Sequence, residues 1–155
     1  MSLYVLLKLI HILSAGVLFG AGAAIAFFML MGWRSGNVSA FYFAARFTVT
    51  ADWLFTSSAV IIQPLSGLAL ALHLGYPLTA PWLLASYALY LFVGACWLPV
   101  VWIQLQVRSE LSHAGEEIPV RIQRLMRYWF ILGWPAFTAL IGIFLLMIIK
   151  PELAI

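Results

Sequence analysis

The sequence predicts an all-α integral membrane protein with four antiparallel, kinked transmembrane helices in one bundle. Of its 155 residues, 65% are hydrophobic and only 8% are charged, whereas roughly a quarter of the residues in a soluble domain are charged. Four apolar segments follow one another along the chain, and each has at least the ~20 residues that a helix needs to cross a bilayer. The connections are too short for a soluble domain, so we expect a single domain over residues 1–155.

Each span has recognisable limits. The first contains no charged residue from Leu9 to Met31 and ends at turn-forming residues. The third begins at Pro81, where proline is tolerated in a first helical turn, and the fourth is stopped by Lys150 and Pro151. The predicted spans are approximately residues 3–31, 47–74, 81–107 and 123–149.

The segment Asn37–Ala51 mixes aromatic, polar and basic residues, and two interpretations fit it. It could extend the second span, or it could form a helix that lies partly in the head-group layer. We favour the interfacial helix. Arg46 and Asp52 are then expected to form an interfacial ion pair of little energetic weight.

Each of the last three spans carries an internal proline, at Pro64, Pro99 and Pro135. Proline removes a backbone donor and kinks a helix, and the freed carbonyl needs a partner because lipid offers none. The kinks could be ordinary features of membrane helices, or they could open room for a ligand. Gln63 is interpreted as a structural residue that bonds across helices or to a freed carbonyl.

Basic residues orient the bundle. Six arginines lie in or beside the first and third connections, whereas only Lys8 and Lys150 lie on the opposite side. The positive-inside rule therefore predicts a bacterial inner-membrane protein with both termini in the periplasm. Arg121, Arg124 and Arg127 share one helical stripe, which indicates contact with lipid phosphates or, alternatively, a pocket for an anionic ligand. The net charge of +3 is explained by these flanks, so no nucleic-acid partner is expected.

Several chemistries have no candidate residues. The single cysteine, Cys96, excludes an intrachain disulfide and any Cys-x-x-Cys motif, and we interpret it as a core residue. No glycine-rich phosphate loop or paired carboxylates are visible within the spans. An ion-coupled carrier would normally need such buried acids.

Ionisable residues inside the first two spans are the main functional candidates. Lys8 and His11 share one face of the first span, and His73 ends the second span on the same side of the membrane. Two imidazoles facing each other across a bundle can hold a haem iron. The alternatives are a hydrogen-bonded structural His11 and an interfacial His73. Gly16 and Gly20 form a stripe that permits close helix packing or would leave room for a flat macrocycle.

Four segments carry a resemblance to a known family: Lys8–Gly16, Gln63–Gly67, Trp97–Gln104 and Lys150–Pro151. Together they resemble a bacterial family of predicted integral membrane proteins of unknown function (DUF2269-type), over essentially the whole chain. That family is distantly similar to copper-resistance D-like proteins and to a four-helix, haem-containing protoporphyrinogen oxidase.

The resemblance implies that His11 is a haem-binding residue. It also places Ser86 where the oxidase has its functional lysine, which argues against protoporphyrinogen oxidation by this chain. The order and spacing of the short motifs carry the similarity.

The predicted function is therefore binding of haem b and electron transfer in the membrane. His11 and His73 would be axial ligands, Lys8 would pair with a propionate, and Gly16 and Gly20 would accommodate the porphyrin. The alternative is a membrane module without a cofactor, such as a helper subunit or a protein for a small solute or copper, although the few soft ligands argue against a copper path. The expected partners are the lipid bilayer and either a second copy of the chain or a membrane redox partner.

Overall fold

The fold is entirely helical over the part of the chain that the computed structural model describes, residues 2–151. Four stretches are long and apolar enough to cross a membrane, and the second of them is the continuous run Val38–His73. The elements are α1 (Leu3–Arg34), α2 (Val38–Ala51), a π-helical turn (Asp52–Thr56), α3 (Ser57–His73), α4 (Pro81–Leu111) and α5 (Val120–Ile149).

The main core lies at the end of the bundle that carries the α1–α2 and α4–α5 connections. We call this the arginine end, because the six arginines lie in or near these two connections: Arg34, Arg46, Arg108, Arg121, Arg124 and Arg127. Side chains from α1, α2, α4 and α5 meet there, and Met29, Phe41, Ile122 and Met126 have no exposed surface. This end therefore fixes how the helices enter the bundle.

The structure corrects the prediction for Asn37–Ala51. The segment is not a separate interfacial helix but the first part of the second span, which continues through the π-helical turn into α3. Phe41, Ala45 and Val49 recur at helical spacing and are buried against α1 and α4, so one face of α2 belongs to the core.

A smaller cluster of buried residues closes the opposite end, where α1 begins, α5 ends and the α3–α4 connection lies. Ala71, Ala80 and Leu83 are buried there. The Lys150 ammonium group lies 4.6 Å from the centroid of the Tyr76 ring and 3.0 Å from its hydroxyl oxygen. This contact holds the end of α5 against the α3–α4 connection.

The bundle is unevenly packed between these two ends. Helices α4 and α5 pack along their length, and α1 packs on α2 and α3, whereas α1 and α5 meet at few points. Phe19 of α1 contacts the edges of Phe137 and Phe144 on the side nearer the chain ends. A gap is left between α1 and α5 closer to the arginine end.

The helices continue through all three internal prolines. Pro64 cannot donate a hydrogen bond to the Val60 carbonyl, four residues before it. The Tyr90 hydroxyl of α4 donates to that carbonyl instead, at 2.6 Å. The freed carbonyl therefore has a protein partner, as expected, and that partner is a tyrosine. Gln63 instead forms hydrogen bonds across to α1.

Candidate functional site

A cavity of about 650 Å³ occupies the gap in the bundle. Its walls come from α1, α3, α4 and α5 and are almost wholly apolar, with several aromatic side chains. Small-molecule sites are typically clefts of roughly 300–1,000 Å³ with apolar walls and a few placed polar groups. The cavity has the size and the lining of such a site.

The polar part of the lining centres on Asp52. Its side chain is 4% exposed, and Trp97 donates its indole N–H to Asp52 Oδ1 at 3.4 Å. The side chains of Thr56 and Gln104 lie beside the same carboxyl group, and all four residues line the cavity. They form what we call the Asp52 cluster: Asp52, Thr56, Trp97 and Gln104.

The π-helical turn directs the side chains of Asp52 and Thr56 towards the inside of the bundle. In the π-helical turn the Ser57 N–H bonds to the Asp52 carbonyl five residues back, and the Ser57 hydroxyl donates to the same oxygen at 3.0 Å. Asp52 and Thr56 are buried, while the three apolar residues between them are more than half exposed. Single π-helical turns inside α-helices occur frequently at functional sites, and this one directs both polar side chains into the bundle.

The Asp52 cluster has more hydrogen-bonding capacity than the described residues satisfy. Asp52 Oδ2, Thr56 Oγ1 and Gln104 Oε1 are buried without a hydrogen-bond partner between residues 2 and 151, and so is the indole N–H of Trp129 in the cavity wall. A buried polar group without a partner costs about 1–3 kcal/mol, and more when it is charged. Such a group in a membrane span is by default a candidate for function.

The cavity reaches the lipid-facing surface of the bundle. Phe27 on α1 and Trp134 on α5 both line it and are 56% and 65% exposed. These two helices are also the ones that make few contacts with each other. A molecule dissolved in the bilayer could therefore enter between α1 and α5.

Sequence reasoning missed this site. The predicted ion pair between Asp52 and Arg46 is wrong: Asp52 bonds to Trp97 inside the bundle, and Arg46 is exposed and lines a different cleft. The sequence did contain one signal for this site, because Asp52 is the only carboxylate within the four predicted spans. Its direction depends on the π-helical turn, which the residue pattern did not reveal.

His11 lies in a hydrogen-bond network between α1 and α3. Its Nδ1 is 3.0 Å from Ser66 Oγ, and the Gln63 amide N–H donates to its Nε2 at 3.3 Å. Ser14 donates to the Gln63 carbonyl oxygen. A Cβ atom added to Gly67 would lie 2.9 Å from the His11 ring, so the imidazole fills the space between the helices.

The other predicted haem residues are not gathered around the cavity. His73 is exposed and stacks on Tyr4, with ring centroids 6.4 Å apart, and Lys8 donates to the Tyr4 hydroxyl at 3.1 Å. Gly16 and Gly20 are exposed. Ser86 is buried and donates to the Trp82 carbonyl at 2.8 Å.

These residues, as arranged, do not fit a haem. Haem iron needs an imidazole nitrogen with a free lone pair, but both ring nitrogens of His11 already have hydrogen-bond partners. No histidine, cysteine or methionine of the described chain lines the cavity.

Four spanning helices around an apolar cavity define a small helical integral membrane protein. Comparison with known protein families identifies the family to which the chain belongs. The chain belongs to the family described as Predicted integral membrane protein (DUF2269), whose model matches residues 5–151. No curated protein and no solved structure matches the chain.

Proposed function

We propose that this protein is a membrane module that binds a lipid-soluble molecule with an amine head group inside the bundle. The observation that carries the proposal is the Asp52 cluster in the wall of an otherwise apolar cavity. The apolar part of the ligand would occupy the cavity, and its head group would bond to Asp52.

The unsatisfied atoms favour a head group that donates hydrogen bonds. Asp52 Oδ2 and Gln104 Oε1 are acceptors, the Thr56 hydroxyl can donate or accept, and the Trp129 indole N–H is a donor. A primary ammonium group has three N–H donors and no acceptor. Its attraction to a carboxylate is also far stronger in a low-dielectric interior than in water.

Entry from the bilayer suits both the position and the lining of the cavity. The opening between α1 and α5 is flanked by Phe27 and Trp134, which contribute apolar surface. A ligand that enters there exchanges one apolar environment for another, so the head group supplies the selectivity.

The orientation predicted from the arginines belongs to the same proposal. With the arginine end in the cytoplasm of a bacterium, both chain ends face the periplasm. The Asp52 cluster would then lie in the half of the bundle nearer the cytoplasm, beyond the reach of a head group anchored in the outer leaflet.

A haem-based redox function remains the alternative from the sequence. It predicts a Soret absorption band, after haem supplementation, that changes in His11→Ala. The Asp52 proposal predicts that any absorption of added haem is the same in His11→Ala and in the wild type, because His11 is engaged in helix packing.

The proposal is tested by equilibrium binding of hexadecylamine to the purified protein in lipid nanodiscs. Palmitic acid serves as the chain-matched control ligand. Asp52→Asn keeps the size of the side chain and removes its charge, so we expect the amine affinity to fall by at least about tenfold, the equivalent of one charged hydrogen bond. Glu116→Gln, in an exposed connection, is the control variant with the same change of charge.

Two results would contradict the proposal. One is equal affinity of the wild-type protein for the amine and the acid. The other is an amine affinity that is the same in Asp52→Asn and Glu116→Gln. An unchanged elution volume and helical content for both variants would establish that each had folded.

A further inference from the structure

A second, polar cleft lies at the arginine end, between α2 and α4. Its volume is about 370 Å³, and it is lined by Tyr42, Arg46, Arg108, Ser109 and Ser112. In contrast to the Asp52 cavity, every lining residue can donate a hydrogen bond and none is acidic.

Both arginines of this cleft lack an acidic partner. Within residues 2–151 the only ion pair joins Arg121 to Glu110, and neither of these residues lines the cleft. Arg46 and Arg108 thus bring two positive charges to one small volume. Two like charges this close are stabilised when an anion lies between them.

The core beneath the cleft holds the two arginines in place. Tyr42 and Arg46 are one helical turn apart on α2, while Arg108 lies in the last turn of α4 and Ser112 directly follows that helix. The faces of these helices that meet below are fully buried at Phe41 and Val107. The backbone positions that carry the two arginines are therefore set by helix packing rather than by flexible loops.

We propose that the cleft binds the phosphate group of an anionic phospholipid. Guanidinium groups match phosphate oxygens with paired hydrogen bonds, and the Tyr42 and Ser109 hydroxyls are further donors in the cleft. Arg108 lies in the last turn of α4 and Arg46 about two turns after the start of α2, at the arginine end, where head groups are expected. The proposal does not depend on what the Asp52 cavity binds.

Exposed aromatic residues on α2 favour a lipid over a free anion. Phe43 and Phe47 are 65% and 52% exposed, and their rings are in contact at a tilt, with centroids 4.6 Å apart. They lie beside Tyr42 and Arg46 in the chain and offer an apolar surface for acyl chains next to the charged cleft. A free phosphate ion would make no use of this surface.

Native mass spectrometry of the protein released from detergent micelles tests the assignment. Phosphatidic acid, phosphatidylglycerol and phosphatidylcholine with the same acyl chains are added separately. We expect retention of the two anionic lipids and a loss of about fivefold for each of Arg46→Gln and Arg108→Gln, from the contribution of one arginine near the membrane surface. Arg34→Gln is the matched control, because Arg34 is exposed at the same end but lies outside the cleft and outside the stripe of arginines on α5.

Three results would overturn the proposal: lipid retention unchanged in both cleft variants, an equal loss in Arg34→Gln, or equal retention of phosphatidylcholine. Displacement of the lipid by inorganic phosphate at equal concentration would show an anion site without lipid specificity and would also contradict it. Arg46→Lys keeps the charge and should retain more anionic lipid than Arg46→Gln, which separates loss of binding from loss of folding.

Discussion

Asp52 illustrates how one residue acquires a role from its surroundings. In a connection, an aspartate would be an ordinary solvated charge. Here the residue is only 4% exposed, with the Trp97 indole N–H on Oδ1 and no hydrogen-bond partner on Oδ2 among residues 2–151. Because such burial is costly in a membrane, the simplest reason for it is a ligand that completes the hydrogen bonding.

His11 shows the opposite outcome. A histidine in an apolar span suggested a metal ligand, yet its two ring nitrogens are occupied by Ser66 and Gln63. The network joins α1 to α3 and is the hydrogen-bonded structural alternative considered for this residue. The same residue type in an apolar span can serve packing or chemistry, and only its neighbours distinguish the two.

At the residue scale, Tyr90→Phe should destabilise the protein. The substitution removes the hydroxyl that satisfies the Val60 carbonyl freed by Pro64, and such bonds in membrane proteins contribute about 0.6 kcal/mol, with a maximum of about 1.7. Thermal unfolding in detergent, followed by circular dichroism, measures the effect. Tyr87→Phe is the control, because no hydrogen bond of the Tyr87 hydroxyl occurs within the described chain. Equal unfolding temperatures for the two variants would contradict the assignment.

At the level of elements, the second span determines where the site lies. Its first part, α2, packs against α1 and α4, and its π-helical turn directs Asp52 inwards. Its last part, α3, packs against α1. The bundle thus combines a closely packed arginine end with an open region beside the π-helical turn.

The close approach of α1 and α2 depends on Gly32. A Cβ atom added there would lie 2.6 Å from the Ala44 side chain and 3.3 Å from the Phe41 backbone. We therefore expect Gly32→Ala to destabilise the protein by about 1–3 kcal/mol, as overpacking typically does. Chemical unfolding in mixed micelles measures this change.

Gly20→Ala is the control for that prediction, since no atom lies within 4 Å of the added Cβ. It should be neutral or slightly stabilising, because alanine has the higher helix propensity. A Gly32→Ala variant as stable as Gly20→Ala would show that α1 and α2 are not in close contact.

The number and type of the helices could be predicted from the sequence, since hydrocarbon thickness sets the length of every apolar run. The start of the second span could not, because Arg46, Thr48 and Asp52 interrupt its apolar run. Helical spacing of Phe41, Ala45 and Val49 was the signal for its buried face. The Asp52 cluster depends on a π-helical turn and on the position of α4, both of which are set by packing rather than by local pattern.

On the scale of the whole molecule, the two ends of the bundle are packed differently, and what each end contacts depends on the orientation of the protein in the membrane. The distribution of basic residues predicts that orientation, because six arginines lie near one end and Lys8 and Lys150 lie near the other. Salt and lipid charge act on exposed arginines, whereas the Asp52 cluster is shielded inside the bundle.

The orientation predicts that both chain ends lie on the outer side of the membrane. In a Cys96→Ser background, a cysteine introduced at Gly115 should react with a membrane-impermeant maleimide only after the membrane is opened. A cysteine at Thr79, in the α3–α4 connection, should react in intact cells. Labelling of Gly115→Cys in intact cells would contradict this prediction and indicate the opposite orientation.

Photo-crosslinking tests the central claim, that the cavity holds a lipid-soluble amine at Asp52, most directly. Protein in nanodiscs is irradiated with a hexadecylamine that carries a diazirine in its chain, and the labelled residues are mapped by mass spectrometry. The account predicts labels on the cavity walls of α1, α4 and α5, such as Phe27, Leu98 and Trp134, and their loss in Asp52→Asn. Labels spread evenly over the lipid-facing surface, with the same yield in Asp52→Asn, would contradict it.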